Sequence, residues 1–483
     1  MIPALPGSGC LRPASPPPEE PRELELVFDR GTVVVKGAGP GDEVLQLPGM
    51  LWDPRVGAPR APALCYPGIA ARLGEASRRI ADRVAISRAE SLELPPLPLR
   101  DYQADAVAAW EIAGRRGVVV LPTGSGKTRV ALAAITAVGQ AALVLVPTRA
   151  LLAQWRTVLR QSGVTRVGIH GDGLHELGPV TVCTFESAYR RMDAFGDAFP
   201  LVVVDEVHHF DGGLRSEALE MCAAPFRLGL TATPPLLPEG LARLERLVGP
   251  VVCSWSVQEM AGTHLAEFEL LRLRVELEAE ERARYRAAYA PFAEAVRTFF
   301  RAYPEGSWPD FLRAACAGPA GQALLAGYRE AVRIVGSAGR KRDMVRCLLR
   351  RHVQDPVLIF TAGNDEAYAL SRSLLVPAIT CDIGAAERAD VLERLRQGRL
   401  RCLVSARVLN EGIDLPEARV AIICGGRLGE REQVQRVGRV LRPGPGKRAV
   451  IYELVVRDTF EERQSERRQR GLLSREADRR RRA

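Results

Sequence analysis

The segment LPTGSGKT, residues 121–128, follows the apolar run GVVVL and precedes RVALAAITAV, whose spacing is helical. A phosphate-binding loop requires this order of strand, glycine-rich turn and helix. Glycines let backbone N–H groups face an anion that the positive end of the helix also attracts. In this pattern Thr123, Gly124, Ser125 and Gly126 form the cradle, Lys127 reaches the β- and γ-phosphates of a nucleoside triphosphate such as ATP, and the Thr128 hydroxyl sits on Mg²⁺. Leu121 stands where the general pattern has Gly, so the match rests on GSGKT; a chance glycine-rich turn is the competing structural explanation.

Further along, LVVV ends in Asp205-Glu206-Val207-His208-His209. A carboxylate at the carboxyl end of a buried strand beside a phosphate loop is placed to hold Mg²⁺, and the next carboxylate to orient the attacking water, so Asp205 is assigned to the metal and Glu206 to the water. Alone, such a pair would more often cap a helix. Adjacent histidines cannot share a metal as an i, i+4 pair does, so His208 is assigned to coupling with the γ-phosphate. In QRVGRVLRP, residues 435–443, Arg436, Arg439 and Arg442 recur every third residue on roughly one helical face. Facing a nucleotide bound elsewhere in the chain, they would act as arginine fingers; the alternative is a solvated basic face.

The elements that must position these residues are legible as texture. GVVVLP, ALVLVP, VTVCTF, LVVVDE and FRLGLTATP are short buried runs alternating with helical stretches, the pattern of parallel strands with crossover helices. A second set, PVLIFT, RCLVSA, RVAIIC and AVIYEL, gives a second parallel sheet from about 341 to 456, after a charged helical insertion that begins near Glu276. Upstream, LELVFDRGTVVVK alternates like a hairpin, and LELPPLPL closes this small module as an extended linker. The last residues, ERRQSERRQRGLLSREADRRRRA, read as a basic helical or frayed tail.

Composition narrows the function. The 483 residues suggest several domains, and 47% hydrophobic with 26% charged residues is globular usage. No apolar run approaches the length of a membrane span and the start lacks a secretory pattern, so a cytoplasmic, nucleoid-associated protein is expected. Ten scattered cysteines without a CxxC pair argue against zinc, iron–sulfur clusters and disulfides. The net charge of +9 favours a polyanionic partner, although solubility alone would also explain it. Only four of the 67 cationic side chains are Lys, namely Lys36, Lys127, Lys341 and Lys447.

Taken in order, Gln103 within LRDYQADAV, then GSGKT, VPTRALLAQW, TFESAY, DEVHH, TATP, LIFTAGNDEA, SARVLNEGIDLPEA and QRVGRVLRP resemble the superfamily 2 helicases. DEVHH with QRVGRVLRP, and WDPRVGAPRAPAL upstream, resemble the XPB-type DNA repair and transcription helicases in their prokaryotic form. The resemblance implies an α/β fold of two tandem RecA-like parallel-sheet domains, with a small α+β N-terminal domain and a helical thumb-like insertion. On this basis residues 1–95 are expected to form a damage-recognition-like domain and 96–255 the first, ATP-binding lobe. Residues 256–340 would be connector and thumb, 341–460 the second lobe, and 461–483 the tail.

The resemblance also implies that Arg100 and Gln103 hold adenine, that Thr231, Thr233, Gln435 and Arg436 couple hydrolysis to motion, and that Gly412 and Asp414 sense ATP and strand. Thr148, Arg149 and Thr184 would meet the phosphate backbone. It implies ATP and Mg²⁺ as cofactors, single-stranded or forked DNA bound largely without regard to sequence, 3′-to-5′ movement, and a nuclease partner; oligomeric state stays open. XPB-type proteins usually carry Arg-Glu-Asp shortly after TAT, a motif implicated in strand separation, but here TATP runs on as Pro235-Leu236-Leu237-Pro238. This favours a duplex translocase that separates no strands as one alternative; an RNA helicase, since the motif core does not separate the sugars, and an ATP-gated DNA clamp are the others.

Overall fold

The β-branched runs bounded by Gly and Pro become three sheets in the computed structural model, which describes residues 24–75, 80–88, 91–235, 237–406, 418–425 and 448–473. Two compact units divide them. The first contains the described residues before 90. Its five-stranded sheet, in the order β3-β4-β2-β1-β5, is built from β1 (Leu24–Asp29), β2 (Thr32–Lys36), β3 (Leu51–Asp53), β4 (Ala58–Pro62) and β5 (Ile80–Asp82). β1 and β2 form the expected hairpin, and Arg30 (φ 47°) with Gly31 (φ 80°) supplies the two left-handed positions of its turn. Leu24, Leu26, Val33, Val35 and Ile69 pack as its core.

This unit is not made only of its own stretch of chain: residues 191–200 and 217–225 belong to it. Ala223 lies in the same core, its N–H donates to the Gly196 carbonyl at 2.8 Å, and a Cβ at Gly31 would collide with Met221. Sequence texture does not disclose such a contribution, because neither segment carries a periodicity that names its partner.

The second unit holds two larger sheets. One has β6 (Arg116–Val120), β7 (Ala142–Val146), β8 (Val167–Gly171), β9 (Leu174–Glu176), β10 (Val180–Thr184), β11 (Leu201–Asp205), β12 (Phe226–Thr231) and β13 (Val251–Ser254), in the order β13-β6-β12-β11-β7-β10-β8-β9. All neighbours are parallel except β8 and β9. β7, β10 and β11 are buried along their whole length, as strands covered on both faces must be.

The other sheet is wholly parallel: β14 (Glu267–Val275), β15 (Val357–Phe360), β16 (Ala378–Ile379), β17 (Cys402–Ser405), β18 (Val420–Ile423) and β19 (Arg448–Val456), in the order β14-β19-β18-β15-β17-β16. Here the structure departs from the sequence expectation. β14 was placed in the connector, yet it pairs with β19 over its full length. As an edge strand it alternates Glu and Arg with Leu and is mostly half-buried, which hides the strand signal. The helices Ala279–Ala302, Trp308–Cys316, Pro319–Gly336 and Gly339–Arg351 therefore form an excursion between two strands of one sheet.

The tail starts as a helix, Phe460–Leu473, as expected, but its first turns are packed into the protein and not solvated. Glu461 is buried, and its carboxylate accepts from Lys341 Nζ at 2.7 and 2.8 Å and from the Val456 N–H at 2.8 Å. Lys341 Nζ also donates to the Cys424 carbonyl at 2.8 Å, just past the end of β18. Only distant pairing reveals this, since Glu461 lies in a run of charges that reads as solvated.

Breaking one half of that ion pair strands a charge in the core, so Lys341→Met should lower unfolding free energy by about 3–5 kcal/mol in a denaturant titration. Adding Glu461→Gln, which keeps an acceptor for Val456, should restore most of the loss.

Candidate nucleotide-hydrolysis site

β6, β12 and β11 lie side by side, and register pairs Val120 with Thr231 and Leu230 with Asp205. Their carboxyl ends therefore set the phosphate loop, Thr231-Ala-Thr233 and Asp205-Glu206 next to one another, where α/β sheets bind ligands. Gly124 (φ 86°) and Gly126 (φ 84°) take left-handed conformations, and Gly126 caps the helix Lys127–Val138. The Ser125 hydroxyl donates to the Pro122 carbonyl at 2.7 Å, and Lys127 Nζ donates to the Leu121 carbonyl at 3.2 Å, holding the ammonium over the loop. Thr128 is half-buried in the first turn of the same helix.

Behind the loop stands the helix Asp101–Ile112. Tyr102 OH and Gln103 Nε2 both donate to the Ser125 carbonyl, at 2.5 and 2.9 Å, while Gln103 Oε1 accepts from the Arg100 N–H at 3.0 Å. A Cβ at Gly126 would come within 2.6 Å of Gln103 Nε2, so glycine is also required there for close approach. Both ends of the Gln103 amide are thus used inside the protein, on the loop backbone, and the Arg100 guanidinium donates to the His264 carbonyl at 3.3 Å. Tyr102, to which the sequence reading gave no role, holds the loop alongside Gln103.

Asp205 is buried, and its Oδ2 accepts from Trp155 Nε1 at 3.0 Å and its Oδ1 from the Glu206 N–H at 3.1 Å. Trp155 is the second residue that sequence reasoning passed over; its position at the end of VPTRALLAQW was the available signal. Burial, reinforced by the neighbouring Glu206 carboxylate, raises the Asp205 carboxyl from 3.8 to about 6, while the Trp155 hydrogen bond and Lys127 oppose the rise.

Glu206 itself is left-handed (φ 54°), a conformation uncommon for a non-glycine residue and frequent where function imposes it. Its Oε2 lies 3.5 Å from His208 Nδ1, which is 3.0 Å from Thr231 Oγ1. Because the Thr231 hydroxyl donates its single proton to the Thr233 carbonyl at 2.8 Å, it must accept from His208, which fixes the proton on Nδ1. The Thr233 N–H donates back to Thr231 Oγ1 at 3.2 Å. A chain of polar groups therefore runs from Glu206, close to His208 but not hydrogen-bonded to it, through His208 to Thr231 and Thr233, which are joined by hydrogen bonds.

Three polar atoms around this chain, Thr123 Oγ1, Thr233 Oγ1 and Glu206 Oε2, are buried without a hydrogen-bond partner. Donors and acceptors left unused beside a glycine-lined cradle fit a polyphosphate with its metal. Among the described residues no group of three or more His, Cys, Asp or Glu is gathered to hold a metal by itself.

The residues expected to meet a nucleic-acid backbone gather elsewhere on the same sheet. β7 and β10 are neighbours in register, Val146 with Thr184. Thr148 Oγ1 accepts from the Leu151 N–H at 3.2 Å and Thr184 Oγ1 from the Ser187 N–H at 3.2 Å, so each hydroxyl caps the helix that follows its strand. The Arg149 guanidinium is exposed and pairs with Asp172 at 3.0 Å. Gly412, Asp414, Gln435, Arg436, Arg439 and Arg442 lie outside the described residues.

Family comparisons agree with this layout. Residues 26–84 match the xeroderma pigmentosum group B helicase damage recognition domain, 96–236 the res subunit of type III restriction enzymes, and 340–444 the helicase conserved C-terminal domain. The chain is 35% identical over 425 residues to a DNA 3′-5′ translocase XPB2 of Sulfurisphaera tokodaii, covering 87% of this chain and 96% of that protein. It belongs to the XPB-type helicases. A DNA 3′-5′ helicase XPB of Mycobacterium tuberculosis is 30% identical over 402 residues, which cover 79% of this chain and 66% of that longer protein. Among solved structures, the Hef helicase domain of Pyrococcus furiosus matches with a TM-score of 0.48 at 18% identity, over 76% of this chain and 97% of that one. Membership gives the class of enzyme, a nucleic-acid-dependent ATPase of two tandem helicase domains, and with it the use of ATP.

The raised Asp205 carboxyl has a consequence for stability. Its charged form is disfavoured in the folded state, so the contribution is full below the ordinary carboxylate range and is lost as pH rises through about 6. Asp205→Asn should therefore be more stable than the parent at pH 7 in the presence of a chelator, by ~1–3 kcal/mol in a denaturant titration. The two proteins should converge as pH is lowered towards 4.

Proposed function

We propose that this protein is an ATP-driven DNA translocase moving 3′ to 5′, serving repair or transcription. The observation that carries the reading is the polar chain from Glu206 through His208 to Thr231, placed beside the phosphate loop by adjacent parallel strands. A scaffold that merely bound nucleotide would not need a water-positioning carboxylate joined to a second motif.

In this reading Thr123, Gly124, Ser125 and Gly126 cradle the phosphates and Lys127 neutralises them. Thr128 and Asp205 would hold Mg²⁺, which when bound offsets the charge that builds on the transferred phosphate. The Asp205 carboxylate, reluctant to ionise in its buried place, is brought to its charged form by that cation. Glu206 Oε2, buried and unbonded, orients the attacking water and takes its proton. His208 then relays the change to Thr231 and Thr233. Arg439 and Arg442 are assigned to the developing charge, Gln435 and Arg436 to coupling, and Gly412 and Asp414 to sensing ATP and strand. Gln103 supports adenine recognition from behind the loop and Arg100 flanks it. Thr148, Arg149 and Thr184 meet the DNA backbone without reading sequence. A nuclease is the partner we assign.

A second reading is favoured by one specific observation: Pro235-Leu236-Leu237-Pro238 replaces the Arg-Glu-Asp motif of the family. Tracking along duplex DNA without separating it needs the hydrolytic set but not that motif.

Steady-state ATP hydrolysis should rise on adding single-stranded, forked or duplex DNA and fall to background in Lys127→Ala. In Glu206→Gln, hydrolysis should drop by about 10²–10⁴-fold while nucleotide binding stays within a few-fold of the parent. A rate unmoved by every DNA, or stimulated by RNA alone, would overturn the proposal. Triplex displacement without strand displacement would decide for the duplex tracker.

A further inference from the structure

β8 and β9 form a tight hairpin at one end of the first parallel sheet of the second unit. Gly171 pairs with Leu174 across a two-residue turn in which Asp172 (φ 52°) and Gly173 (φ 81°) both take left-handed conformations. The hairpin is seated firmly. A Cβ at Gly171 would lie 3.1 Å from Thr184 Cγ2 and 3.2 Å from Leu152 Cδ1, and the rings of His170 and His175 pack across the strands at 4.8 Å. Backbone packing, not a long side chain reaching out, thus brings the apex over the residues that begin the helix Arg149–Gln161.

At that apex Asp172 Oδ1 meets the Arg149 guanidinium at 3.0 Å, with the two side chains 57% and 77% exposed. The turn needs a residue tolerant of left-handed backbone, for which Asn serves as well as Asp. Turn geometry therefore does not explain a carboxylate. An exposed ion pair is also worth little to stability. What the carboxylate does do is occupy, with a negative charge and acceptor oxygens such as a phosphate also offers, one of the cations assigned to the backbone-binding set.

We propose that Asp172 is an intramolecular competitor for the phosphate that Arg149 binds, and so sets how tightly and how salt-sensitively the protein holds nucleic acid. The proposal rests on the assignment of Arg149 to the nucleic-acid backbone. Each binding event must exchange a carboxylate for a phosphate on Arg149 and displace the hairpin's carboxylate towards solvent. Affinity is thereby held below what the cationic set alone would give, which suits a protein that must release and rebind the strand at every step.

The test is a double-mutant cycle on the full chain, measuring anisotropy of a labelled mixed-sequence single-stranded oligonucleotide over a salt series. Asp172→Asn keeps an Asn-Gly turn and should melt like the parent. It should bind about two- to five-fold more tightly at low salt, with the gain shrinking as salt rises. Arg149→Ala should bind more weakly, and adding Asp172→Asn to it should recover nothing. Unchanged or weaker binding by Asp172→Asn, with Arg149→Ala still impaired, overturns the competitor role alone. An equal gain in both backgrounds also overturns it, because the carboxylate would then act by long-range charge and not through Arg149. Normal binding by Arg149→Ala removes the assignment of Arg149 itself and the proposal with it.

Discussion

Parallel registration of β6, β12 and β11 is the constraint on which the rest of the site depends. Strands paired in parallel end at the same edge, and each of these three ends in a different chemical tool: a glycine loop, a pair of threonines and a pair of carboxylates. Because sheet spacing fixes the distance between neighbouring strands at about 4.8 Å, the tools arrive within hydrogen-bonding reach of one another without any further device. A slip of one residue in β12 would turn Thr231 to the other face and break the chain to His208.

Electrostatics at this edge run against stability in a directed way. Asp205 sits buried beside Glu206, and only Trp155, Lys127 and one backbone N–H favour its charged form. Glu206 adds a left-handed backbone and a buried oxygen without a hydrogen bond. Sites that must receive a polyphosphate and a cation keep such groups under-satisfied, and the surrounding fully buried strands carry the cost. The second parallel sheet shows the opposite arrangement: Lys341 and Glu461 are equally buried, yet each finds its complement and a backbone partner besides.

Much of this was legible in the sequence. GSGKT after GVVVL, DEVHH after LVVV, and TATP after FRLGL each declare a strand end with its chemistry, because local order alone determines that a polar tool follows a buried run. The hairpin of β1 and β2 was legible for the same reason, since LELVFDRGTVVVK alternates as two short neighbouring strands do. The helical texture after Glu276 was visible as well. Three features were hidden: the membership of β14 in the second sheet, the burial of Glu461, and the inclusion of residues 191–200 and 217–225 in the unit of the N-terminal sheet. Each depends on a partner far away in the chain.

The sequence by itself determined which chemistry to expect: a phosphate cradle, one carboxylate suited to a metal and one to a water, and cations for a polyanion, since these follow from residue type and short spacing. Tertiary structure alone decided how they act together. It put Gln103 and Tyr102 on the loop backbone, set Trp155 on Asp205, fixed the proton on His208 Nδ1, and laid Asp172 against Arg149. The physical reason is one of range. Strand and turn preferences are short-range properties carried by neighbouring residues, whereas hydrogen bonds and charge pairs between elements exist only once sheet order and register have chosen which distant residues become neighbours.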